Sequence, residues 1–145
     1  MQEQIGIDVV LVEDGEEKGI LPVKAHRTDA GFDLFTPRDF ILAPESTVFI
    51  DTLVKFGIPD GYVCFIKSKS GLMLKGIVTE GVIDSGYTGT VGVKLFNNSY
   101  NKYPFKKGDK ITQIVFLPIP DVELAEVEEL KVSERGEGGF GSTGR

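Results

Sequence analysis

The 145-residue chain has one cysteine, one histidine and no tryptophan. A single cysteine, Cys64, excludes a disulfide within the chain. It sits in the apolar run Tyr62-Val63-Cys64-Phe65-Ile66, where it reads as a small buried hydrophobe. A thiol nucleophile needs a neighbouring base, and the only histidine, His26, is far off in sequence. No Ser-His-Asp set and no His or Cys metal-ligand spacing is present. The chain also lacks a Gly-x-x-x-x-Gly-Lys-Ser/Thr loop, which excludes that class of nucleotide binder. No apolar run approaches the ~20 residues of a membrane helix. Met1-Gln2-Glu3-Gln4 does not begin a basic-then-apolar leader. A cytoplasmic location with no membrane partner is therefore expected. Basic residues are in the minority, 16 Lys and Arg against 22 Asp and Glu, for a formal net charge of −6. A nucleic-acid surface would be basic, so that partner is not expected. A polyanionic small ligand is still possible, because a few local cations and backbone donors can bind it.

What is present is strand pattern. Ile5, Ile7, Val9 and Leu11 alternate, as do Val48, Ile50, Thr52, Val54 and Phe56 with Asp51 and Lys55 between them. Val91, Val93 and Leu95 repeat the pattern, as do Ile111, Val115, Leu117 and Ile119 around Gln113. Period-2 alternation gives each strand one core face. Turn residues separate the runs at Glu13-Asp14-Gly15, Pro59-Asp60-Gly61, Asn97-Asn98 and Lys107-Gly108-Asp109. One all-β domain is expected, a sandwich or barrel, with one short helix at Leu72-Met73-Leu74-Lys75. The core domain spans 1–134. From Arg135 the chain is glycine-rich, with Phe140 set among glycines. Glycines let backbone amides approach a ligand closely, and Ser142 and Thr143 add hydroxyl donors. Residues 135–145 are thus expected to be an arm that orders over a phosphate.

Four internal segments could carry chemistry. Gly81-Val82-Ile83-Asp84-Ser85-Gly86-Tyr87-Thr88-Gly89 reads as a hairpin with Asp84 and Tyr87 near its bend. Taken alone, Asp84 is an ordinary turn aspartate; in a shielded site it could deprotonate water. Ser68-Lys69-Ser70-Gly71-Leu72 closes a strand and opens the helix, where it is either an ordinary cap or a place where hydroxyls, an ammonium and free amides hold an anion. Ala30-Gly31-Phe32-Asp33-Leu34 places a carboxylate in apolar surroundings. In Gly108-Asp109-Lys110-Ile111-Thr112-Gln113, the glutamine shares a strand face with Ile111 and Val115, so it is either satisfied internally or turned to a ligand.

Taken in order, with the arm, these segments resemble the five motifs of the dUTPase family, over residues 21–144. The resemblance implies a jelly-roll-like β fold and a homotrimer with shared active sites. It also implies hydrolysis of dUTP to dUMP and diphosphate with Mg²⁺ on the triphosphate. That reaction limits uracil entry into DNA and supplies dUMP for dTMP synthesis. Asp84 matches the base that orients water toward the α-phosphorus, and Tyr87 the tyrosine that leaves no room for a 2′-hydroxyl. The third motif, with Gly81 and Ile83, presents backbone to uracil. Lys69, Ser70, Gly71 and Gln113 match phosphate-contacting positions. In the arm, Arg135 matches the residue that reaches the terminal phosphate and Phe140 the aromatic over uracil. Gly141, Ser142 and Thr143 match further phosphate-binding positions. Asp33 matches a motif aspartate with a water-mediated metal contact or a supporting role. The chain departs from the family with Ser68 for proline, Lys69 for arginine and Gly86 for an acidic residue. A lysine keeps the charge but not the planar two-pronged grip on phosphate. Two rival readings are a dCTP deaminase-like enzyme, which needs a different acid-base residue in the third motif, and a dUTP-binding regulatory protein with a protein partner.

Overall fold

Alternating residues form strands because each strand has one face to bury. The computed structural model describes residues 4–141. The strands are β1 (Asp8–Leu11), β2 (Glu13–Asp14), β3 (Glu17–Lys18), β4 (Phe32–Phe35), β5 (Phe40–Leu42) and β6 (Thr47–Gly57). They continue with β7 (Tyr62–Lys67), β8 (Ile77–Val78), β9 (Glu80–Ile83), β10 (Thr90–Asn97), β11 (Tyr103–Phe105) and β12 (Lys110–Pro118). One helix, α1 (Ser70–Met73), follows β7.

Two antiparallel four-stranded sheets dominate, in the orders β1-β6-β10-β8 and β4-β12-β7-β9. Two ribbons, β2-β3 and β5-β11, complete the fold. The sheets do not close, so the fold is a sandwich of the jelly-roll kind. Ile50 and Val54 of β6, Val91, Val93 and Leu95 of β10, and Leu34, Cys64, Ile66, Ile83, Ile111 and Ile114 share one buried cluster. Each such side chain contributes about 1.5–3 kcal/mol through burial. Cys64 is fully buried, and burial pushes its thiol pKa up to about 12.

The expected phase holds along β6 and β10 but not along β12. Ile111 and Thr112 are both buried, and then Ile114 faces inward while Gln113 and Val115 face away. The β4–β12 register shifts between Lys110 and Thr112. A bulge adds one residue to one strand and reverses every face beyond it. Gln113 therefore does not share the core face of Ile111. The helix also begins two residues earlier than expected. Leu72 is its buried residue, Leu74 is exposed, and Gly76 at φ 85° ends the turn. Gly15, Gly61 and Gly108 take positive φ in three of the expected turns.

Leu53 is buried in left-handed backbone at φ 59°, which costs a residue with a Cβ about 1–2 kcal/mol. Its amide donates to Asp51 Oδ1 at 3.0 Å, and its carbonyl accepts the Val12 N–H at 2.8 Å. Gly19 lies against that carbonyl: a Cβ there would stand 2.1 Å from the Leu53 oxygen. Neither backbone can yield cheaply. Gly19→Ala should therefore cost about 2 kcal/mol, seen as a lower denaturation midpoint at unchanged m.

Beyond Ile119, whose N–H donates to the Gly61 carbonyl at 2.8 Å, the described chain forms no strand or helix. Val122, Leu124, Val127, Leu130 and Val132 are all exposed.

Candidate active site

The third-motif segment is not a hairpin. β9 pairs with β7, whereas β10 pairs with β6 and β8. Residues 84–89 instead cross from one sheet to the other. The crossing opens a cleft of about 530 Å³ lined by Gly81, Ile83, Asp84 and Tyr87 on one side and Thr90 and Asp51 on another. β9 is the last strand of its sheet. An edge strand leaves one row of backbone N–H and C=O groups unpaired, and here that edge borders the cleft.

Tyr87 is fixed at both ends. Its amide donates to the Asp84 carbonyl at 3.1 Å, and its hydroxyl donates to the Thr90 carbonyl at 2.6 Å. The ring lies on Gly89, where a Cβ would meet Tyr87 Oη at 2.6 Å and Cζ at 2.8 Å. Thr90 Oγ1 in turn donates to Asp51 Oδ2 at 3.2 Å. Asp84 itself is exposed. The shielding expected around it is not supplied by the single chain.

A second group lies around Asp33, which is 8% exposed. Lys69 Nζ donates to Asp33 Oδ1 at 2.5 Å, and Lys110 Nζ lies 3.2 Å from Oδ2. Burial raises the Asp33 pKa, but hydrogen bonds and charge from the two lysines outweigh it and hold the carboxyl below its ordinary value. Asp33 stands opposite Gln113 in the β4–β12 pairing. Gln113 Nε2 donates to the Ser68 carbonyl at 3.0 Å, so part of its polar head is satisfied internally. Ser68 Oγ donates to the Thr79 carbonyl at 3.0 Å and accepts the Thr79 N–H at 2.9 Å. A proline could make neither bond. Lys69 is the extended residue before the helix (φ −76°, ψ 136°), and Ser70 and Gly71 in its first turn are exposed. The first amides of a helix have no partner within it.

The described part of the arm joins neither group. Arg135 Nε donates to the Gly138 carbonyl at 2.5 Å, and Gly138 N–H returns a bond to the Arg135 carbonyl at 3.2 Å. Phe140 is fully exposed, with Gly141 beside it. Ser142 and Thr143 lie outside the described residues. Among the described residues no hydrogen bond or ion pair joins the arm to Asp84 or to Lys69. No group of three His, Cys, Asp or Glu among them could hold a metal. Sequence reading missed Lys110 and Asp51. Lys110 was hidden by the bulge, and Asp51 looked like a plain outward residue.

The model of the dUTPase family matches residues 17–144. A Clostridium tetani deoxyuridine 5'-triphosphate nucleotidohydrolase is 42% identical over 134 residues, covering 90% of this chain and 92% of its own. A protein of the same name from Yaba monkey tumor virus is 37% identical over 138 residues, covering 94% and 96%. A mutant Staphylococcus bacteriophage 80alpha dUTPase with dUpNHpp superposes with a TM-score of 0.89 at 32% identity, covering 98% of this chain and 100% of that one. A mutant dUTPase from phage phi11 of S. aureus, described with a structural Mg(II) ion, gives 0.78 at 31% identity, covering 86% and 98%.

Proposed function

We propose, because this chain belongs to the dUTPase family, that it hydrolyses dUTP to dUMP and diphosphate with Asp84 as the base. The observation that carries this reading is the cleft along the free edge of β9, where Asp84 stands beside Gly81, Ile83 and Tyr87. Asp84 takes a proton from water. The oxygen attacks the α-phosphorus, and the bond to the bridging oxygen breaks, releasing diphosphate. Lys69, Arg135 and the first amides of α1 supply positive charge to the phosphates, which is what an in-line displacement requires. The N–H and C=O row of β9 pairs with the edge of uracil. Cytosine reverses part of that donor–acceptor pattern, and buried groups left unpaired discriminate strongly. The arm supplies Phe140 over the base; Gly141, Ser142 and Thr143 add phosphate contacts.

Mg²⁺ enters as part of the substrate. The residues present fit a metal carried by the triphosphate rather than one held by protein alone, since Asp33 is the one carboxylate in the lysine group. Mg²⁺ keeps several waters, and Asp33 can accept a hydrogen bond from one of them.

Two features support a site shared between copies, as in a homotrimer. Asp84 is exposed, and among the described residues no hydrogen bond or ion pair joins it to the Lys69 group or joins the arm to either. An apolar groove lined by Ile5, Val9, Phe32 and Phe116 and the exposed apolar residues of 119–132 offer surfaces for copies to join.

A nucleotide-selectivity assay tests the function. Turnover of dUTP, with dCTP, dTTP and UTP slower by orders of magnitude, is the expected result; binding of dUTP without turnover would sink it. Gly89→Ala tests the sugar filter. The added methyl pushes the Tyr87 ring from its seat, so the preference for dUTP over UTP should fall about 10-fold.

A further inference from the structure

Two ammonium groups share the single Asp33 carboxylate. That leaves the trio with one positive charge in excess. The β12 bulge produces this arrangement. Lys110 and Gln113 are three apart, which in a regular strand puts them on opposite faces. The register shift between Lys110 and Thr112 brings them to the same face, beside Asp33. A strand begun without the bulge would aim Lys110 away from the carboxylate.

Lys69 has a conflicting assignment. Its ammonium is bound to Asp33 at 2.5 Å, yet the proposed function needs it on a phosphate. An ammonium is a compact point charge without the fork by which a guanidinium grips two partners. With Lys69 alone, turning toward phosphate would strand an almost fully buried carboxylate, which is strongly unfavourable. Lys110 reaches the other oxygen and is half exposed, and among the described residues its ammonium has no other hydrogen-bond or ion-pair partner.

We propose that Lys110 is a positioning residue for the hydrolysis reaction: it neutralises Asp33 so that Lys69 can turn to the triphosphate. This rests on the reading of Lys69 as a phosphate contact. Lys110 itself does not touch substrate. It replaces, with a second lysine, what one arginine could do alone. The gain is in holding the phosphates, equally before and at the transition state, so it belongs in KM and not in kcat.

The experiment compares wild type, Lys110→Met, Lys110→Arg, Asp33→Asn and the double variant Asp33→Asn/Lys110→Met. It measures kcat and KM for Mg–dUTP, the Kd of dUpNHpp and the Tm. Lys110→Met should raise KM and Kd about 10-fold with kcat within about 2-fold. Lys110→Arg should stay near wild type. With Asp33 already neutral, adding Lys110→Met should change neither KM nor Kd. An unchanged KM in Lys110→Met would overturn the proposal. So would the same loss in the Asp33→Asn background, which would mean that Lys110 meets the substrate directly. A fall in Tm and kcat together, or no rescue by arginine, would make the role structural and overturn it too. If Lys110→Met does not fold, the comparison of Asp33→Asn with the double variant still decides, because neither leaves a buried carboxylate unpaired. If wild type binds dUpNHpp but does not turn over dUTP, the hydrolase reading fails while the Kd series still tests Lys110. If wild type does neither, both fail.

Discussion

Replacing Asp84 with asparagine should lower kcat for dUTP by about 10²- to 10⁴-fold, the usual worth of a positioned base, and leave dUTP binding within a few-fold. Asparagine keeps the size and the hydrogen-bonding oxygen but cannot take a proton. The binding surfaces are left in place. The Tyr87 amide bonds to the backbone carbonyl of residue 84, not to its carboxylate, so the turn survives the change. A water nucleophile without a base falls back on the polarising power of the phosphate-bound cations, which accounts for a residual rate. Single-turnover kinetics with a parallel Kd for dUpNHpp separates the two effects. An unchanged kcat would identify some other group as the base, with Asp51, across the same cleft, as the first to examine.

Removing residues 135–145 should lower kcat by about 10²-fold or more, because loss of positioning alone can cost that much. In the proposed mechanism the arm brings Arg135 to the terminal phosphate and Phe140 to the base, and closes the site against bulk water. Asp84 is exposed in the single chain. The residues proposed to join copies lie before Arg135, so light scattering should find the same assembly as in the intact chain. Full activity in the truncated protein would remove the arm from the mechanism. Dissociation of the assembly would instead give those residues a structural task. Within the arm, Phe140→Ala should weaken nucleotide binding, whereas Arg135→Ala should act mainly through the phosphates.

The strands of β6 and β10 were legible because their apolar residues alternate in sequence and those positions turn inward, even though Leu53 of β6 is buried between them. The turns were legible because glycine marks the positions that need positive φ. Three things were not. The bulge in β12 leaves no mark in Lys110-Ile111-Thr112, since an extra β-branched residue there looks like more strand. Its effect was to place Gln113 on the wrong face. The partner of β9 was hidden as well: a short strand, a turn and a strand fit a hairpin until the pairing is seen, and local pattern says nothing of which sheet a strand joins. The left-handed Leu53 is also silent, because only glycine or asparagine advertises that backbone. At the site, Asp84 and Tyr87 come together as the motif suggests, since they share one turn. Lys69, Asp33 and Lys110 come from three distant stretches of chain, and only the sheet pairing β4-β12-β7 makes them neighbours. The apolar residues between Val122 and Val132 carried a weak alternation that could pass for a strand, yet they pair with no strand among the described residues.

The burial of Cys64 has a practical consequence. It is the sole thiol in the sequence, it is closed off from solvent, and a pKa near 12 leaves almost no thiolate at neutral pH, the form that reacts. Maleimides and disulfide reagents should therefore pass the native protein by. A cysteine introduced at an exposed position, such as Glu137 in the arm, would then be the one group to take a fluorophore or spin label, with no need to remove the native residue first. Arm closure could be followed by emission or by distance measurement on a protein whose interior is unchanged.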